Sequence, residues 1–200
     1  MHPESTAWLT IPNALTLLRL ALIVPFASFA VSGRDLEALA VFFGAGLTDI
    51  LDGAIARRFG QSSKAGRLID PLADKLLTGV AFVVLALYRG DARAIPVWLM
   101  AAALLRDALI LAGSAMVYRS RRDSGFKPSL LGKLNTFVEL GVICCFLAAS
   151  SLSWVAPLLP PLYGLMAGSL LASTGGYLLT GIRMLRAPNS AGPRSRDGVT

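Results

Sequence analysis

Apolar residues fill six long stretches of this chain, and the polar residues between them fall into short, mostly basic connectors. The stretches cover about 11–31, 36–58, 67–88, 94–118, 130–150 and 156–185. Each is close to or above the roughly 20 residues a helix needs to cross a bilayer. Only helices or closed barrels satisfy every backbone group in lipid, so the pattern predicts an all-α, integral membrane fold with six transmembrane helices. Pro12 opens the first span, where the missing N–H of a proline has no helical partner to lose. Pro71 is expected in the first turn of the third span for the same reason. The connector 59–66 is polar and contains Gly60 and Gly66, so spans two and three are expected to form an antiparallel hairpin. Span six is long enough to tilt or overrun the bilayer. Residues 1–10 read as a polar interfacial segment with Trp8 as an aromatic anchor. Residues 11–186 read as one membrane domain, and 187–200, APNSAGPRSRDGVT, as a disordered tail.

Composition agrees with the pattern. The chain is 54% hydrophobic and only 16% charged, which excludes an ordinary soluble domain. Its net charge of +7 would suit nucleic acid, but the basic residues lie in loops between apolar spans. Anionic lipid headgroups are the expected partner, and nucleic acid is not. Arg57, Arg58, Lys64, Arg67, Arg119, Arg121, Arg122, Lys127, Lys133, Arg183, Arg186, Arg194 and Arg196 fall at one end of the spans. Arg34, Arg89 and Arg93 fall at the other. The positive-inside rule then places both termini in the cytoplasm, in an inner or cytoplasmic membrane. No cleavable signal peptide is expected, because the N-terminus lacks a basic region. Cys144 and Cys145 are adjacent, cannot form an ordinary bridge with each other, and read as packing residues.

Against this background, the segment DILDGAIARRFGQSSKAGRLIDPLADK stands out. Asp49 and Asp52 are three residues apart, and Asp70 and Asp74 four, so each pair shares one face of its helix. The hairpin would bring all four to one depth at the cytoplasmic end. Four carboxylates do not stay ionised side by side in a low dielectric without cations between them. Their hard oxygens favour Mg²⁺, Mn²⁺ or Ca²⁺. Gly53, Ala56 and Gly66 leave the helix surfaces bare, so a ligand or another backbone can approach closely. Arg57 offers a forked donor suited to phosphate oxygens. Together these features suggest a bound diphosphate.

The spacing Asp49-x2-Asp52-Gly53-x2-Ala56-Arg57-x8-Gly66-x3-Asp70-x3-Asp74 resembles, without gap or substitution, the signature of the CDP-alcohol phosphatidyltransferases. Eight fixed residues would recur by chance on the order of once in ten billion start positions. The resemblance implies transfer of a phosphatidyl group from CDP-diacylglycerol to an acceptor alcohol, with release of CMP. It implies two divalent ions, Mg²⁺ or Mn²⁺, on Asp49, Asp52, Asp70 and Asp74, with Asp74 as general base. CDP-diacylglycerol would be met by Gly53, Ala56, Arg57 and Gly66, by a hydroxyl at Ser63, and by the opening Pro12, Asn13 and Thr16. Asn13, Thr16 and Arg19 form a polar stripe along span one, which reads equally as a helix cap with a snorkelling arginine. Dimerisation is common in that family, so a homodimer is an expectation of the resemblance alone.

For the acceptor, Arg106-Asp107 and Gly132-Lys133-x-Asn135-Thr136 look more like the cardiolipin synthase branch, where phosphatidylglycerol accepts. Glycerol 3-phosphate is the alternative. Arg106, Arg119, Lys133 and Asn135 are the candidate acceptor contacts. Arg106 and Asp107 read equally as an inward structural ion pair, and the arginines of 119–122 as a solvated loop. A divalent-cation transporter would explain the acids but not Arg57, whose charge repels the cation.

Overall fold

A computed structural model describes the backbone of residues 11–59, 66–88, 94–119 and 130–186, and the side chains within 14–48, 72–88, 94–113 and 130–177. The described residues are helical throughout their length apart from short turns, with no strand among them. Six α-helices follow in order: α1 (Ile11–Val31), α2 (Asp35–Phe59), α3 (Gly66–Val83), α4 (Val97–Arg119), α5 (Leu130–Ala148) and α6 (Leu159–Arg186). A π-helical turn, Val84–Tyr88, extends α3, and a 3₁₀ turn, Ala156–Leu158, leads into α6. The helix bounds follow the apolar stretches closely. Pro71 differs from expectation: α3 begins at Gly66, so the proline sits in the second turn rather than the first. The helix continues through it to Val83.

The bundle has an apolar core, but large apolar side chains also cover its outside and several charged ones lie within. Phe43, Phe137, Trp154 and Leu171 lie on the outside, at 67%, 73%, 67% and 76% exposure. Arg19, Arg106, Asn135 and Glu139 are buried inside. Exposed apolar surface on this scale marks a face covered by lipid or by another protein. Among the described residues, 14–31, 130–148 and 156–177 are long and apolar enough to cross a membrane.

The α1–α2 link is short because Gly33 adopts a left-handed conformation, with φ of 73°. Its N–H donates to the Ala30 carbonyl at 3.2 Å, and that of Arg34 to the Phe29 carbonyl at 2.9 Å. These two bonds cap the last carbonyls of α1 and reverse the chain. α1 and α2 then pack along their length, with Ala30, Ala38 and Ala45 fully buried and the rings of Phe26 and Phe42 5.6 Å apart. Such small residues let helix backbones approach closely where lipid offers no hydrophobic drive. α1 also packs against α3, and α5 against α6 and α2. The helix that carries Asp49 and Asp52 and the helix that carries Asp70 and Asp74 therefore both lean on α1.

Candidate active site

The backbone places Asp49, Asp52, Gly53, Ala56 and Arg57 in the C-terminal half of α2. Gly66, Asp70 and Asp74 lie in the N-terminal half of α3. All eight motif residues are thus helical, on two helices separated by six residues of chain. The side chains of Asp49, Asp52, Gly53, Ala56, Arg57, Gly66 and Asp70 lie outside the described residues, as do those of Pro12 and Asn13. Ser63 lies wholly outside them. Asp74 is half-buried, and its carbonyl accepts a bond from the Thr78 hydroxyl at 3.1 Å. Among the described residues no group of three His, Cys, Asp or Glu side chains forms a metal cage. Carboxylate oxygens such as those of the four aspartates are, by their chemistry, the hard donors that suit Mg²⁺ or Mn²⁺.

Thr16 and Arg19 are both buried in the bundle, at 1% and 0% exposure. Arg19 therefore does not snorkel to the membrane face, which removes that alternative for the stripe on α1.

Next to Asp74 in the chain, Lys75 enters a buried polar junction that joins four helices. Its Nζ lies 2.9 Å from Asp107 Oδ2 on α4 and 4.0 Å from Glu139 Oε2 on α5. Neither contact has the alignment of a hydrogen bond. Asp107 is shared: its Oδ1 accepts from Arg106 Nη1 at 2.7 Å. Arg106 Nη2 donates to Ser173 Oγ on α6 at 3.0 Å and reaches the Gly132 carbonyl at 3.4 Å. Asn135 donates to Glu139 Oε1 at 2.6 Å and accepts from Ser169 Oγ at 2.8 Å. Arg106, Asn135, Glu139 and Ser173 are each 4% exposed or less. Two cations face two carboxylates, so the junction is neutral in sum, as burial in lipid demands.

The four candidate acceptor contacts thus have different surroundings. Lys133 is exposed on the first turn of α5. Arg106 and Asn135 lie within the junction, and the side chain of Arg119 is outside the described residues. Arg106 and Asp107 do point inward as an ion pair. Lys75, Glu139, Ser169 and Ser173 were given no role from the sequence. A lone charge in an apolar span must find a partner, and this was the available signal for Lys75 and Glu139.

An all-helical membrane bundle with paired aspartates on adjacent helices and an inward charge junction is the class of protein described so far. The model of the CDP-alcohol phosphatidyltransferase family matches residues 9–170, and the chain belongs to that family. It is 36% identical over 159 residues to a probable cardiolipin synthase (CMP-forming) of Drosophila melanogaster, covering 70% of this chain and 48% of the relative. A cardiolipin synthase (CMP-forming) of Streptomyces coelicolor is 36% identical over 159 residues, covering 75% and 70%. A CDP-diacylglycerol–glycerol-3-phosphate 3-phosphatidyltransferase of Cereibacter sphaeroides is 38% identical over 126 residues, covering 61% and 53%. The chain thus spans about half the length of the fly relative.

Proposed function

We propose that this protein transfers the phosphatidyl group of CDP-diacylglycerol to the hydroxyl of phosphatidylglycerol, giving cardiolipin and CMP. The observation that carries the reading is the ungapped eight-residue motif, all of it on α2 and α3. Phosphoryl transfer asks mainly for positioning and charge neutralisation. Asp49, Asp52, Asp70 and Asp74 would hold two divalent ions, whose charge would neutralise the diphosphate and the CMP leaving group. Asp74 takes the proton of the acceptor hydroxyl as its oxygen forms the new P–O bond and the bond to CMP breaks. Arg57 holds a phosphate, while Gly53, Ala56 and Gly66 leave room for the nucleotide. Pro12, Asn13, Thr16 and Ser63 hold its polar edge. Lys133 and Arg119 face the acceptor, with Arg106 and Asn135 as the buried layer behind them. In this reading all six helices span the membrane, the site opens to the cytoplasm, and the diacyl tails leave sideways into lipid. A reporter active only in the cytoplasm, fused after Thr200, is expected to give signal; silence would refute the orientation.

The acceptor assignment is supported by Arg106-Asp107 and Lys133-x-Asn135-Thr136 and by the relatives named as cardiolipin synthases. The Cereibacter relative favours glycerol 3-phosphate as the second reading. Purified protein incubated with CDP-diacylglycerol, Mg²⁺ and a panel of alcohols decides between them. CMP release is expected with phosphatidylglycerol and is expected to vanish on chelation of divalent ions. Release only with glycerol 3-phosphate would select the alternative, and no release with any alcohol would overturn the function.

A further inference from the structure

We propose that Lys75, held between Asp107 and Glu139, is a positioning residue that fixes the acids of α3 against the acceptor side of the site. The inference rests on the phosphatidyl-transfer reading above. Lys75 follows Asp74 directly, and neighbours on a helix leave it about 100° apart. Any slide or rotation of α3 that moved one would move the other. The ammonium at the end of Lys75 meets carboxylates from α4 and α5 at 2.9 and 4.0 Å. α5 is also the helix that presents Lys133, and Glu139 is bonded to Asn135 one turn nearer to it. One cation therefore ties the helix carrying Asp70 and Asp74 to the two helices, α4 and α5, that carry the acceptor contacts.

Stability alone is a poor reason for this junction. A buried ion pair replaced by well-packed apolar residues is often no less stable. The junction also leaves bonding capacity unspent: Arg106 Nε, Lys75 Nζ and Glu139 Oε2 are buried with no hydrogen bond among the described residues. What charged partners do provide is a single allowed register, because sliding a helix strands a charge in lipid. A register of that kind matters where reacting groups must be held closely, since displacement by about 1 Å can cost about a hundredfold in rate.

The neutral sum of the junction supplies the test. Lys75→Met strands one negative charge, and adding Glu139→Gln restores neutrality without restoring the link between helices. The full chain in lipid nanodiscs is assayed for CMP release with CDP-diacylglycerol, Mg²⁺ and the accepted alcohol, and its thermal unfolding is followed in parallel. The double variant is expected to unfold at the wild-type temperature and keep the donor KM, with kcat lower by about a hundredfold. Glu139→Gln alone, which still accepts the bond from Asn135, is expected to lower kcat with donor KM held, and Lys75→Arg to retain most turnover. A double variant that regains kcat together with stability would overturn the positioning role. So would one that regains neither, which would make the junction structural. A wild-type protein that releases no CMP overturns the function first, and this inference with it.

Discussion

Along α5 the bundle changes its manner of filling space within about two turns. The first half of the helix sends Gly132, Asn135 and Glu139 into the charge junction with α3, α4 and α6. The second half sends Cys144, Cys145 and Ala148 into an apolar groove of about 750 Å³, shared with Leu36, Leu39, Ala40, Phe43 and Gly44 of α2. The groove lies on the half of α2 away from Asp49 and Asp52. At one end side chains meet through hydrogen bonds and ion pairs at fixed distances. At the other, contacts are non-directional and leave open volume. In a bilayer, apolar contacts do not discriminate between protein and lipid, so they tolerate slack. Charges do discriminate. The proposed chemistry falls at the end where register is enforced.

This contrast sets the order of expected effects. The largest belongs to Asp74→Asn, expected to lower CMP release by about a thousandfold, roughly 4 kcal/mol of barrier, with the fold retained by circular dichroism. Wild-type turnover in that variant would remove Asp74 from the base role. Next comes Arg106→Met, which strips Asp107 of one cation and removes the bond that Arg106 donates to Ser173 Oγ. It is expected to cost about 3–5 kcal/mol in chemical unfolding in detergent. A cost below about 1 kcal/mol would show that the two ends are held by similar forces. The smallest effect is expected at the groove, where Ala148→Val adds two methyl groups to open space and should change stability by less than about 1 kcal/mol. A large loss there would show that the groove is packed as tightly as the junction.

The helices were legible because the thickness of the bilayer sets the length of each apolar run, and connectors between runs are short and polar. α1 begins and ends at the positions expected, Ile11 and Val31. The helical setting of Asp49, Asp52, Asp70 and Asp74 was legible because they border apolar runs of helical length. The junction was not. Arg106 and Ser173 are 67 positions apart, and Asn135 and Ser169 are 34 apart, so no local pattern links them. Lys75 reads as the flank of the motif until its partners on α4 and α5 are in place. Pro71 was misplaced because α3 starts at Gly66, one residue ahead of the apolar stretch, so the proline is its sixth residue and lies past the first turn.

The two sulfhydryl groups of the chain, Cys144 and Cys145, sit together in the groove wall and are free. A thiol-reactive fluorophore applied to the unaltered protein would therefore report from one locale only. That locale is on the helix that also carries the charged junction, yet on its other half. Nature has supplied a vantage point from which lipid entry and helix displacement can be watched without disturbing a single aspartate.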